Sequence, residues 1–154
     1  KLWGIETVAL RLFNAFGPGQ NLPPSYPPVV PYMLSRALHD GSIVVHSDGK
    51  QTRDYIFLDD IIRALVAAST APGVDGQVIN IGSGTETSVM ELVRLVGEVT
   101  GKKIDVILNP RVSAGVSRMT ADIGQAKKKL GFKPSIPLAE GLRLTMQRDA
   151  KLNG

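Results

Sequence analysis

The sequence predicts an α/β fold with a parallel sheet, and three observations carry that prediction. An almost uninterrupted apolar stretch over 7–13 (TVALRLF) reads as a strand buried on both faces, which is the habit of parallel sheets. Segments of helical and of strand periodicity alternate through the second half of the chain. Ser88 with Glu91, and Asp122 with Gln125, carry the spacing of helix-opening capping boxes.

The elements follow in order. The first strand runs into a loop over 14–28 that holds Gly17-Pro18-Gly19 and prolines at 23, 24, 27 and 28; such long loops are usually functional or disordered. Pro28 opens a helix whose apolar face is Val30, Met33, Leu34, Ala37 and Leu38, ending before Gly41. A strand over 42–47 meets Asp48-Gly49, a two-residue hairpin signal, and returns as a strand over 50–57. Asp59 or Asp60 is expected to cap a helix through about Thr70. A strand over 77–81, the turn Gly82-Ser83-Gly84, and a helix on Val89, Leu92, Val93, Val96 and Val99 come next. Ile104, Val106 and Leu108 alternate as a strand, a helix opened at Asp122 closes at Gly131, and Pro134 and Pro137 precede a last helix on Leu138, Leu142 and Met146.

Composition narrows the function. The 154 residues suit one globular domain, and 43% hydrophobic with 21% charged residues is incompatible with a disordered chain. The absence of cysteine removes disulfide scaffolds, thiolate metal sites and a cysteine nucleophile. No apolar run approaches a bilayer span and no signal-peptide core is visible, so the reading is a soluble, cytoplasmic domain without a membrane partner. The net charge of +4 suits an anionic partner, but scattered cations and only 5% aromatic residues argue against nucleic acid. The apolar strand begins almost at Lys1, and its parallel neighbours are expected from chain outside this sequence, which suggests a fragment.

A few residues stand out chemically. Asn14 ends the first strand, where open parallel sheets place their ligands; it either holds a polar ligand group or bonds its own turn. Gln51, Arg53, Tyr55 and Phe57 share a face at period two, so Arg53 either clamps a phosphate or pairs with Asp54 or another acid. Arg111 and Arg118 flank a polar stretch and are either diphosphate ligands or exposed loop cations. Gly82-Ser83-Gly84 fails as a dinucleotide fingerprint: Thr87 stands at the third glycine position, Glu86 would face the phosphate, and Asp105 is mid-strand. Asp59 and Asp60 are cap residues rather than an acid–base pair, and His39 and His46 have no metal-ligand spacing. Lys127, Lys128 and Lys129 fall in a helix's last turn, where the dipole favours cations.

Several of these residues lie in recognisable motifs. The segment 10–20, LRLFNAFGPGQ, resembles the LRxFNxYGPxQ segment of extended short-chain dehydrogenases/reductases, the NAD-dependent nucleotide-sugar epimerases and dehydratases. The stretch 49–55, GKQTRDY, followed by Leu58-Asp59-Asp60, resembles their GxQxRDxxxVxD segment. Asn80 through Gly84 resembles NxGsG, and Arg118, Asp122 and 126–131 resemble RxxxD…KAxxxLG. The motifs occur in order along essentially the whole chain, with a flavour similar to UDP-glucose 4-epimerases.

The resemblance implies the C-terminal part of a Rossmann-like parallel sheet (1–27) joined to a small α/β substrate-binding portion (28–154), with the N-terminal NAD-binding part absent. It implies that Asn14 contacts the diphosphate or sugar, that Val30 within 28–31 borders the base, and that Arg53 and Arg118 bind the diphosphate from opposite sides of one pocket. The ligand is then a nucleotide-diphosphate sugar, the cofactor is NAD held mainly by the absent part, and the parent enzyme is a homodimer. In this family a Tyr-x-x-x-Lys pair removes the sugar hydroxyl proton while hydride passes to NAD. Tyr26, Tyr32 and Tyr55 have no lysine at that spacing and Lys1 is too near Phe13, so no catalytic residue is assigned and the chain is expected to be inactive alone. Gly115 and Ser117 stand where many relatives carry Asp, which leaves sugar selectivity open. The alternative is a stand-alone, non-catalytic nucleotide-sugar binding module.

Overall fold

The computed structural model describes residues 4–113 and 115–152; Lys1 lies outside them. Nine short strands and five helices form a Rossmann-like α/β arrangement among these residues. Strand β1 (Val8–Leu12) pairs in parallel with β6 (Gln77–Ile81), Leu10 opposite Ile79, and Phe13 N extends the ladder to Ile81 O at 3.0 Å. Strand β2 (Ala15–Phe16) pairs in parallel with β5 (Ile56–Phe57). Strand β3 (Ile43–His46) pairs in parallel with β8 (Val106–Asn109). A fourth sheet sets β4 (Thr52–Arg53) between β7 (Thr87–Ser88), antiparallel, and β9 (Arg118–Met119), parallel.

The helices are α1 (Val29–Leu38), α2 (Leu58–Thr70), α3 (Val89–Thr100), α4 (Gly124–Leu130) and α5 (Leu138–Arg148). Ser88 caps α3, its hydroxyl accepting from Glu91 N at 3.1 Å, and Gly101 and Gly131 end α3 and α4 in the left-handed region as C-terminal glycines do.

Two apolar clusters hold the elements together. One joins α1, α3 and α5 through Val30, Met33, Leu34, Leu92, Val96 and Leu142, with Phe16 and Phe57 meeting edge to face at 5.5 Å. The other joins β1, β6, α2 and α4 through Ile56, Ile61, Ile79, Ile81, Ala126 and Phe132. Adjacent residues Ile56 and Phe57 point into different clusters, as a strand's alternation requires, so β5 is the seam between them.

The structure corrects three local expectations. The 42–57 segment is not a hairpin: β3 bonds to β8, and the return strand is broken into β4 and β5 because the Asp54 side chain turns inward. Neither Asp59 nor Asp60 caps α2, which starts one residue earlier at Leu58; the Asp60 carboxylate instead receives Ser135 N at 3.0 Å and Ile136 N at 3.1 Å and pairs with Arg63. Helix α4 starts at Gly124, after Ile123, and Asp122 serves a local turn by accepting from Gly124 N at 2.9 Å.

Candidate nucleotide-binding site

Two cavities meet at Val29. The smaller, of about 200 Å³, is lined by Asn14, Ala15, Phe16, Gln20, Pro28, Val29, Val30, Pro31 and Tyr55. The larger, of about 540 Å³, takes in Tyr26, Val29, Tyr32, Val44, His46, Gln51 and Ser113 among its lining. The small cavity is built where β1 gives way to the glycine-proline loop and α1 begins, so chain ends and loop, not helix faces, supply its polar groups.

Each polar wall residue has a structural reason to be there. Asn14 Nδ2 donates to Asp54 O at 2.9 Å, which ties the end of β1 to the segment carrying Arg53 and leaves the turn-bonding reading of Asn14 unfulfilled. Tyr55 is almost fully buried, and burial pushes its phenol up to about 12, against the opposing pull of the Arg53 charge. A phenol held there stays protonated at neutral pH and cannot serve as a base. Gln20 and Gln51 each keep a buried side-chain oxygen without a hydrogen-bond partner, one on each cavity.

Arg53 lies along the chain between Gln51, on the larger cavity, and Tyr55, on the smaller. Its Nη1 donates to Thr52 O at 2.8 Å and Val116 O at 2.7 Å, so it also braces the backbone at Val116, just before β9. Asp54 is not its ion-pair partner. That carboxylate is fully buried and accepts Ser83 N and Ser83 Oγ at 2.7 Å, Gly84 N at 2.9 Å and Ala121 N at 3.1 Å. These bonds occupy the N–H groups of Ser83 and Gly84, so the turn does not fit a dinucleotide pyrophosphate.

Arg118 departs from the expected convergence. Parallel pairing sets Arg118 opposite Thr52, so both face one side of the sheet while Arg53 faces the other. Arg118 Nη2 and Nε bond Glu86 at 2.6 and 3.1 Å, and Thr52 Oγ1 joins the same carboxylate at 3.0 Å. This pairing with Arg118, helped by Thr52 and Thr120, holds Glu86 down at about 2. Asn14 and Val30 therefore share a cavity, while neither Arg53 nor Arg118 lines it. Arg111 is exposed on the same 110–117 loop as Ser113.

Comparison with known proteins sets this geometry in a family. The sequence model of the NAD dependent epimerase/dehydratase family matches residues 1–82, just over half the chain. The chain belongs to that family. Among curated epimerase/dehydratase relatives, a UDP-glucose 4-epimerase of Mycolicibacterium smegmatis is 33% identical over 146 residues, covering 95% of this chain and 46% of that protein. UDP-glucuronic acid decarboxylase 3 of Arabidopsis thaliana is 32% identical over 149 residues, covering 97% and 42%. The crystal structure of a Thermotoga maritima UDP-glucose 4-epimerase with UDP-glucose superposes with a TM-score of 0.86 at 34% identity, over 94% of this chain and 46% of that one. The chain thus spans less than half the length of these family members. Nothing in the comparisons supports the alternative of a stand-alone module.

The sequence does not single out Gln20 or the structural role of Asp54. Both sit inside family motifs, as Gln51 does, but only the fold shows which of them reach a cavity and which turn inward.

Proposed function

We propose that this chain is the nucleotide-sugar recognition portion of an NAD-dependent epimerase or dehydratase, with a UDP-sugar as ligand and 4-epimerisation as the reaction of the complete protein. The observation that carries the reading is the paired cavity at Val29, with Asn14 and Val30 on its smaller side and Gln51 and Tyr55, the residues two before and two after Arg53, on its walls. The larger cavity, with Tyr26 and Tyr32 on its wall, suits a planar base, and Arg53 offers a fork of N–H donors to the diphosphate. Arg111 is the second cation we assign to the diphosphate, since its loop carries Ser113 and is held by Arg53; Arg118 is assigned to bracing β9 instead.

Recognition, not hydride transfer, is the contribution of these residues. NAD supplies hydride chemistry in the complete protein and is held by its other part, which also provides the proton-transferring tyrosine and lysine; the whole assembles as a cytoplasmic homodimer. The 154 residues alone bind the nucleotide and do not turn over.

Calorimetric titration of UDP into the chain tests this. Binding at one site, lost in Arg53→Ala and kept in Arg118→Ala, is the expected result. Equal weakening by both substitutions, or epimerase turnover by the isolated chain, overturns the assignment.

A further inference from the structure

The loop between β2 and α1 is fastened from the far end of the chain. Asp149, just past α5, is 4% exposed, and its Oδ2 accepts Gly19 N at 2.8 Å while its Oδ1 accepts Lys151 N at 3.0 Å. Two residues on, Lys151 Nζ donates to Asn21 Oδ1 at 2.8 Å. Gly19 has φ +81°, a left-handed conformation that favours glycine, and its amide points to the carboxylate in that conformation. Gly17, at the start of the turn, lies where a Cβ would come within 2.9 Å of Leu58 Cβ, so the turn is also packed down on α2.

Gln20 lies between the two anchored residues. Its side chain lines the 200 Å³ cavity, Nε2 donates to Ala15 O at 3.3 Å, and Oε1 is buried with no hydrogen-bond partner. A buried acceptor left unmet costs stability, which the bonds on either side of Gln20 must offset. Burying the Asp149 carboxylate against a backbone amide 130 residues away is likewise costly unless its bonds are made, and what those bonds fix is the residue next to Gln20.

We propose that Asp149 is a positioning residue for ligand binding: together with Lys151 it clamps 19–21 so that the Gln20 side chain is held in the cavity wall. The ligand group that meets this wall is polar, such as a sugar or ribose hydroxyl. The identity of that ligand rests on the nucleotide-sugar reading above; the clamp does not.

The experiment has two arms on the 154-residue chain. In the first, amide hydrogen exchange is followed by NMR without ligand. Asp149→Ala is expected to speed exchange at Gly19 about tenfold while Leu92 and Val96 in α3 stay protected, and Asp149→Asn, which keeps one acceptor oxygen, restores part of the protection. Unchanged exchange at Gly19 overturns the clamp. If Asp149→Ala loses protection in α3 as well, Lys151→Ala replaces it and must shift the Asn21 side-chain amide resonances with α3 still protected; failure to do so also overturns it. In the second arm, UDP-glucose affinity is measured in a double-mutant cycle. Asp149→Ala and Gln20→Ala are each expected to weaken binding about fivefold, with the double variant no weaker than Gln20→Ala, because one residue acts through the other. Additive losses overturn the positioning role. A wild-type chain that does not bind UDP-glucose counts against the nucleotide-sugar reading, and the clamp then stands or falls on Gly19 exchange.

Discussion

Arg53 and Arg118 occupy neighbouring parallel strands and face opposite ways, because Thr52, not Arg53, is register-paired with Arg118. A one-residue slip in that register would turn Arg118 to the face that carries Arg53 and release Glu86. The two guanidinium groups therefore answer to different partners: Arg53 to the carbonyls of Thr52 and Val116, Arg118 to the Glu86 carboxylate.

This separation gives the first prediction. Arg53→Ala should weaken UDP binding by about tenfold or more, the scale of a lost charge-assisted hydrogen bond. Arg118→Ala should leave the affinity within about twofold, since an exposed ion pair contributes little beyond local bracing. Calorimetry on both variants at one salt concentration checks the contrast.

Glu86 gives the second. Its carboxyl is drawn down from 4.5 to about 2 by Arg118 first, then Thr52 and Thr120. A folded-state value below the unfolded one stabilises above the unfolded value and is lost as pH falls through the folded one. The stability difference between wild type and Arg118→Ala should accordingly be constant from pH 7 to about 5 and shrink between about 4.5 and 2. Urea unfolding at half-unit steps measures it, and added salt should reduce it throughout, because the pair is partly exposed.

The third concerns Asp54, whose two oxygens accept four donors from Ser83, Gly84 and Ala121. In Asp54→Asn an NH₂ group must face amide N–H donors on one side, leaving buried donors unmet. A loss of roughly 2–4 kcal/mol is expected, and denaturant titration should show it. Gly82→Ala should be damaging for the same reason, since a Cβ there would sit 2.7 Å from Asp54 Oδ2 and 2.5 Å from Ala121 Cβ.

What was legible in the sequence was local. The strand over 77–81, stopped by Gly82-Ser83-Gly84, coincides with β6, and the Ser88–Glu91 spacing marks the α3 cap, because both signals lie within a few residues of the structure they specify. The Asp48-Gly49 turn signal was equally local but misled, since the partner of β3 is β8, about sixty residues away, and burial of Ile43 and Val45 selects that pairing. The candidate site divides in the same way. Asn14 and Val30 come from one short stretch whose motif places them together, whereas the face presented by Arg118 depends on a long-range register, and Gln20 matters only because Asp149 and Lys151 close on either side of it.

The last prediction concerns α2 and β1. Helix α2 buries Ile61, Ala64 and Ala68 on its inner side, yet Leu58, Ile62, Leu65 and Val66 line its outer side at i, i+4, i+7 and i+8, from 38% to 64% exposed. Among the described residues β1 is hydrogen-bonded on one edge only, to β6, and Val78 on β6 is half exposed. A parallel pair with an open edge and an uncovered apolar helix face is a template for further pairing. The isolated 154-residue chain should therefore self-associate at about 100 μM, in the manner of an unprotected edge, as sedimentation velocity would show. Leu65→Glu with Val66→Glu should reduce the association while leaving helical circular dichroism unchanged, because both side chains point away from the core. A monodisperse wild-type monomer with slowly exchanging amides throughout β1 would show that the edge protects itself, and the outer face of α2 would then need no covering element.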